Sequence, residues 1–291
     1  MKEIIKLLRV SHWTKNVFVF VPLVFSKNLM NKDFLVEVLF AFVFFSIASS
    51  LVYVFNDLID AGKDKLHQIK KFRPIASGKI SRSKAVVIIF ILIILTAVSF
   101  FVLNLQFNSV LLGYILLNIS YSLLLKKIVI VDLLSVSIGF MLRVISGALV
   151  ITVPLSSWLI LTTLFLSLFL AVAKRRAEFI IYENENNTRI VLKDYNLKLL
   201  DLFLAVSAGG IIISYSLYSV AERTVNYFHT ENLVFTTIFV IYGIFRYLYL
   251  IHKEKNGENS LEILLKDIPS IINIFIYGIV IYYLIYHEKS L

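Results

Sequence analysis

Apolar runs of about 17–25 residues, parted by short polar or charged breaks, recur from end to end of this 291-residue chain. They fall at about 14–30, 34–55, 84–103, 107–125, 129–151, 157–173, 199–220, 232–251 and 268–287. Each has the length a helix needs to cross a hydrocarbon core, where every backbone N–H and C=O must be satisfied within the segment. The pattern predicts an all-α polytopic membrane protein of nine transmembrane helices in a single domain, 1–291. Pro22 and several polar residues make the first run the least regular. No soluble domain, low-complexity segment or short-period repeat interrupts the series.

Composition agrees. The chain is 59% hydrophobic and 16% charged, against about 25% charged in soluble domains. With a mean hydropathy of +0.84, it carries more apolar surface than one core can hide, so lipid must cover the rest. The absence of cysteine excludes disulfides, thiolate metal sites and a Cys nucleophile. The N-terminal stretch has no long apolar run and no small-residue cleavage site, so no removable signal peptide is expected. A formal charge of +10 points to anionic lipid headgroups and phosphorylated substrates rather than to nucleic acid. The basic residues also orient the chain. With the N-terminus inside, Lys27, Lys32, Arg223 and Lys289 lie outside, Arg143 and Arg246 lie within spans, and the rest of the 29 Lys and Arg are cytoplasmic. Function is therefore expected at the cytoplasmic face of the cell membrane, in the loops 56–83 and 174–198.

The first of these loops opens with Asn56-Asp57-Leu58-Ile59-Asp60-Ala61-Gly62-Lys63-Asp64. At spacings of i, i+3 and i+7, the three aspartates lie within about 60° of one another on a helix. Crowded carboxylates repel one another unless a cation joins them. Hard oxygen ligands suit Mg²⁺, which also bridges to substrate phosphates. The run from Lys70 through Lys71 and Arg73-Pro74 to Ser77-Gly78 supplies cations for the same diphosphate. A solvated, charged helix end is the bland alternative, and the added Arg-Pro-x-x-Ser-Gly turn argues against it.

The motif Asn-Asp-x-x-Asp-x-x-x-Asp, followed by Arg-Pro-x-x-Ser-Gly, resembles the first signature of the UbiA superfamily of intramembrane prenyltransferases. The resemblance implies nine helices around a central cavity and a diphosphate bound through Mg²⁺. Most members carry a second Asp-rich motif and a second Mg²⁺ site after the sixth helix. This chain instead reads Ala173-Lys174-Arg175-Arg176-Ala177-Glu178. Bases cannot hold a second metal, but they can hold an anion. Further segments are similar to the decaprenyl-phosphate phosphoribosyltransferase branch: Leu8 to Asn16 with Phe20-Val21-Pro22-Leu23, Tyr121 to Lys126, Gly139 to Arg143, and Arg246 to Tyr249 with Leu264 to Asp267. That similarity implies transfer of 5-phosphoribose from phosphoribosyl diphosphate to a polyprenyl phosphate, with diphosphate released. Val10 and Ile268 depart from the branch, which commonly has proline and arginine there. Homo-oligomeric assembly enters only by analogy.

On this reading Asp57 and Asp60 are catalytic Mg²⁺ ligands, and Asp64 ligates directly or through water. Asn56 bonds diphosphate or orients a ligand, and Lys71 and Arg73 bind donor phosphates. Lys174 and Arg175 bind the 5-phosphate or the acceptor phosphate. Glu178 either pairs with a neighbouring base or hydrogen-bonds ribose. Lys15 and Asn16, beside Trp13, either contact the lipid phosphate or anchor the chain at the interface. Asp132 and Arg143 lie on one side of the fifth run, about 16 Å apart along its axis. An intramembrane Arg is costly, so the stripe with Ser135 and Gly139 is either a cavity wall or a structural pair. Tyr121 and Lys126 end the fourth run near the same mouth, with an interfacial belt as the other reading for Tyr121.

Two other functions remain in view. One is transfer of an isoprenoid chain from its diphosphate to an aromatic or small polar acceptor, against which the Lys174 to Glu178 stretch speaks. The other is transport of a lipid-linked intermediate, for which the broken, repeated helices of transporters are not evident. The five histidines form no metal-spaced pair. Ser207, Gly209, Gly210 and Ser214 read as close helix packing rather than chemistry.

Overall fold

In a computed structural model, residues 2–67, 69–182, 192, 194–253 and 266–287 are described. Among them the ordered secondary structure is helical, with no strand. Seven helices are long and apolar enough to cross a membrane: Lys32–Asp64, Arg82–Val102, Val131–Val150, Ser157–Ile181, Leu197–Val220, Asn232–Lys253 and Ile268–Tyr286. The chain is therefore a multi-pass membrane protein. It packs as two compact units, Met1–Leu155 and Ser156–Leu291.

The first unit contains α1 (Lys2–Leu8), a 3₁₀ segment (Val10–Phe20), α2 (Val21–Phe25), α3 (Lys32–Asp64), α4 (Arg82–Ala97), α5 (Ser99–Val102), α6 (Leu105–Leu123) and α7 (Val131–Val150). The other two of the nine expected spans fall here, and neither is an ordinary apolar helix. α6 has 19 residues, but Gln106, Asn108 and Asn118 dilute its apolar character. The run at 14–30 is not one α-helix. It is an 11-residue 3₁₀ stretch entered through Arg9 in the left-handed region (φ 50°), followed by a five-residue α2 with Pro22 in its first turn. 3₁₀ runs longer than three or four residues are uncommon. This one is held from outside: Asn16 is fully buried and bonds across to α3 and α7. The 3₁₀ backbone also passes very close to α7, where a Cβ on Gly147 would fall on the Val19 carbonyl.

α3 runs unbroken for 33 residues, from an Asn31 side-chain cap to Asp64. At 1.5 Å per residue it is about 50 Å long, well beyond a hydrocarbon core of about 30 Å. Residues 56–64, expected in a loop, are thus the projecting end of a helix. Likewise residues 174–182 close α8 (Ser157–Tyr182). Leaving the bilayer does not end a helix. Only a breaker or a cap does, and Lys, Arg, Glu and Ala favour continuation. Beneath the α3 stalk, Leu51, Val54 and Ala61 pack with Leu7, Ile75, Ile80, Ala85 and Leu92. This apolar seat holds the 75–80 turn against the helix.

The second unit contains α8, α9 (Leu197–Val220), α10 (Glu222–Phe228), α11 (Thr237–Lys253) and α12 (Ile268–Tyr286). α8 and α9 meet where Gly210 leaves room for the Phe165 ring, and Thr162 bonds Ser214 at 3.0 Å. Ser207 and Ser214 otherwise bond their own helix carbonyls. The packing role read from the small residues of α9 thus holds for Gly210 and Ser214, whereas a Cβ on Gly209 would meet nothing within 4 Å.

Candidate active site

The Arg73-Pro74-Ile75-Ala76-Ser77-Gly78 turn shapes the site from below. Ser77 N–H bonds the Arg73 carbonyl at 2.8 Å, Gly78 N–H bonds Ile75, and Ile80 N–H bonds Pro74. Gly78 takes the positive φ of 77° that closes the turn. Ile75, Ala76 and Ile80 are buried. Pro74 favours the extended backbone seen at Arg73 (φ −63°, ψ 145°). The turn is thereby pinned, and the Arg73 side chain returns over α3.

There the Arg73 Nη1 donates to Asp57 Oδ1 at 3.1 Å and to Asp64 Oδ2 at 2.7 Å. One guanidinium nitrogen thus joins the two carboxylates, which lie seven residues apart on one helix face. From the other side Arg9 Nη2 donates to Asp57 Oδ1 at 2.6 Å, its guanidinium lying 4.7 Å from the Tyr53 ring centroid. Asp57 is 2% exposed. Asp60 goes elsewhere: both its oxygens accept from Lys126 Nζ, at 2.8 and 2.7 Å. Among the described residues, no three acidic or imidazole groups converge as a metal cluster. The expected triad therefore resolves into an Asp57–Asp64 pair and a separate Asp60–Lys126 pair. Three positions within two helical turns share a side of α3, but Lys126, in the 3₁₀ turn just past α6, draws the middle carboxylate away.

The donor chemistry of the pair suits a divalent cation. Arg73 already sits between Asp57 and Asp64 as a cation. Asp57 Oδ2 and Asp64 Oδ1 accept no hydrogen bond among the described residues, so an oxygen on each remains for a hard metal. Beside them the half-buried Asn56 side chain makes no hydrogen bond among the described residues. Lys71 is exposed and lies over the Phe72 ring rather than against the acids. α1 is tied to the same connection, with Lys6 Nζ donating to the Phe72 carbonyl and Lys79 to Glu3 at 2.9 Å. The Lys79 hydrogen bond holds the Glu3 carboxyl below its ordinary range.

Deeper in the first unit, Arg143 of α7 is the hub. Its Nε donates to Asn16 Oδ1 at 2.7 Å, Nη1 to the Gly139 carbonyl at 2.7 Å, and Nη2 to Tyr114 Oη at 2.9 Å. Its guanidinium also lies 4.7–5.4 Å from the Tyr114, Phe140 and Phe45 ring centroids. Asn16 in turn bonds Ser46 and Ser49, and Ser49 bonds Tyr114. Trp13 Nε1 donates to Ser50 Oγ at 3.0 Å, which ties the 3₁₀ segment to α3. Asp132 and Ser135 are buried on α7, the helix of Arg143, with Ser135 bonding the Val131 carbonyl. Tyr121 is half-buried.

In the second unit Lys174 is exposed, while Arg175 is buried and donates to Glu178 at 2.6 Å. Arg176 braces the bundle by donating to Asp201 at 2.6 Å and to the Ile251 carbonyl. Arg246 grips Asp267, which also caps α12 through Ser270. The Arg246 hydrogen bonds, with those from Ser270, hold the Asp267 carboxyl far below the usual carboxylate range. Of the residues central to these arrangements, Arg9, Tyr114, Ser46 and Ser49 were not among the expected site residues. Arg9 lies inside the Leu8 to Asn16 segment of the resemblance and Tyr114 lies mid-span, and neither carries a spacing signal that assigns it a role.

The sequence pattern of the UbiA prenyltransferase family matches residues 17–262. The chain belongs to this family. As a UbiA family member it is a transferase, and its relatives narrow the field. It is 31% identical over 275 residues, covering 91% of this chain and 86% of the relative, to the decaprenyl-phosphate phosphoribosyltransferase of Mycolicibacterium smegmatis. The Mycobacterium tuberculosis enzyme of the same name is 30% identical over 83% of this chain and 82% of its own length. Among solved structures, a UbiA homolog from Archaeoglobus fulgidus bound to GPP and Mg²⁺ superposes with a TM-score of 0.70. It is 16% identical and covers 97% of this chain and 96% of its own, a likeness of fold.

Proposed function

We propose that this UbiA family member transfers 5-phosphoribose from phosphoribosyl diphosphate to a polyprenyl phosphate at the cytoplasmic face of the cell membrane. The bond from ribose C1 to diphosphate breaks, and a bond from C1 to an acceptor phosphate oxygen forms. The observation that carries the reading is the charge pattern around the end of α3: a carboxylate pair bridged by one guanidinium, with arginines and lysines around it. The relatives named for this reaction support it. So does the basic 174–176 stretch, which stands where most of the family has acids.

Asp57 and Asp64, with Asp60 if it releases Lys126, would hold Mg²⁺. When bound, it acts as a Lewis acid on the leaving diphosphate. Arg73 and Arg9 then face the donor phosphates from opposite sides of Asp57, and Asn56 supplies an amide beside them. The acceptor is already anionic at neutral pH, so it needs positioning and charge neutralisation rather than a general base. Lys174 and Arg175 on α8 serve phosphate binding in this reading, with Arg175 oriented by Glu178.

The test is diphosphate release by the purified chain with Mg²⁺, comparing two substrate pairs. Release is expected with phosphoribosyl diphosphate and polyprenyl phosphate, and none with prenyl diphosphate and an aromatic acceptor. Release with the second pair alone refutes the phosphoribosyl assignment, and release with neither refutes transfer altogether.

A further inference from the structure

Two cations of the first unit, Lys15 and Arg143, have no carboxylate paired with them among the described residues. Arg143 is buried, yet its hydrogen-bond partners are all neutral: an amide oxygen, a peptide carbonyl and a phenol. Among the described residues no carboxylate pairs with it. Lys15, the neighbour of its partner Asn16, is half-buried and makes no hydrogen bond or ion pair among the described residues. Lys15 adjoins Asn16 in the chain, so its backbone lies at the level where Arg143 holds the 3₁₀ segment. A partly buried, unpaired ammonium near a carboxylate-free arginine is costly. The arrangement makes sense if an anion completes it.

Arg9 and Arg73 are paired with Asp57 and Asp64, so Lys15 and Arg143 are the cations of this stretch that no carboxylate pairs among the described residues, with the buried Asp132 on α7 offsetting part of their charge. A phosphate monoester carries about −1.5 to −2 near neutral pH. Position narrows the source. Ser49, at the level of Asn16 and Arg143, lies eight residues before Asp57 on α3, about 12 Å deeper along the helix axis. Around Arg143 the walls are Phe45, Tyr114 and Phe140. An anion seated there is set back from the acid pair toward the apolar part of the unit, as a headgroup drawn in on a lipid chain would be.

We propose that Lys15, backed by the carboxylate-free Arg143, is the seat for the phosphate monoester of the lipid acceptor. Lys15 makes the contact, while Arg143 and Asn16 are positioning residues that fix the 3₁₀ segment and supply the field. This divides the Lys15–Asn16 pair, since Asn16 is fully buried and occupied. The assignment rests on the proposed function for the identity of the acceptor. The other phosphate monoester in that reaction is the 5-phosphate of the donor, and the test separates the two.

The first arm uses no donor, so it stands even if the phosphoribosyl reading fails. The full chain in phosphatidylcholine nanodiscs is titrated with a polyprenyl phosphate and with the matching polyprenol. Wild type should bind the phosphate at least ten-fold more tightly than the alcohol. Lys15→Gln should lose at least ten-fold for the phosphate and nothing for the alcohol, and Lys15→Arg should keep most of the preference. The second arm needs no variant: polyprenyl phosphate, but not polyprenol, should protect Lys15 of the wild-type chain from an amine-acylating reagent. In steady state, Lys15→Gln should raise KM for the lipid and leave KM for phosphoribosyl diphosphate unchanged. Unaltered lipid binding in Lys15→Gln, or no protection of Lys15, overturns the proposal. A rise confined to the donor's KM also overturns it and gives the seat to the 5-phosphate.

Discussion

Replacing Arg73 by Met tests whether this guanidinium holds the place of a metal ion. Arg73 is 24% exposed at its side chain, while Asp57 and Asp64 are 2% and 7% exposed. Breaking a buried pair by removing one partner costs about 3–5 kcal/mol. Asp57 keeps Arg9, and the partial exposure of Arg73 admits water, so a loss of about 2–3 kcal/mol is expected, chiefly from Asp64. For a unit of this size that lowers the melting temperature by roughly 4–12 °C. Mg²⁺ at a hundred times its dissociation constant would restore about 2.7 kcal/mol, enough to cancel most of the loss. In wild type Arg73 already neutralises one oxygen of each carboxylate and repels an incoming cation, so the stabilising effect of the ion should be smaller. The assay is helix unfolding of the purified protein, followed by circular dichroism in EDTA and across a Mg²⁺ titration. Equal melting of the two proteins in EDTA would refute the reasoning. So would a Mg²⁺ shift at least as large in wild type as in Arg73→Met.

Lys126→Met should strand the Asp60 carboxylate, which both oxygens now commit to that lysine. Turnover is expected to fall by an order of magnitude or more, since buried ion pairs in a site are worth about 2–5 kcal/mol when one partner is truncated; near-wild-type kcat/KM would show that Asp60 needs no fixed partner. Gly147→Val should collide with the Val19 carbonyl and cost about 1–3 kcal/mol or more as overpacking, readable as loss of folded protein, whereas a substitution at Gly209, where a Cβ meets nothing within 4 Å, should be tolerated. The Asp267 carboxyl titrates lower in the folded chain than in the unfolded one, so its contribution to stability is present above the unfolded value and is lost as pH falls through the folded one. Comparing wild type with Asp267→Asn between pH 7 and pH 3, the wild type should lose its advantage only at the acid end; a constant difference across that range would contradict the assignment.

The helical, multi-pass character was legible because lipid enforces it: a run of about 20 apolar residues cannot cross the bilayer in any other open form. The acid motif was legible because i, i+3, i+7 spacing follows from helical geometry alone. Helix ends and partners were not. The 3₁₀ stretch at 10–20 looks like any apolar run until Asn16, Ser46, Ser49 and Arg143 are seen to hold it. The basic stretch read as a loop is the last part of α8, because nothing in Lys174 to Tyr182 stops a helix.

Sequence by itself determined the membrane class, the family motif and which side chains bear charge, since each depends on composition and short-range spacing. Tertiary structure alone decided how those charges pair. Arg9 reaches Asp57 across 48 positions, Lys126 reaches Asp60 across 66, and Arg143 reaches Asn16 across 127. Coulomb attraction and hydrogen bonding act through space, and one chain offers far more cation–anion pairings than helix periodicity can rank. Packing selects among them, and with that choice it separates the carboxylate pair that can take a metal from the lysine that still lacks an anion.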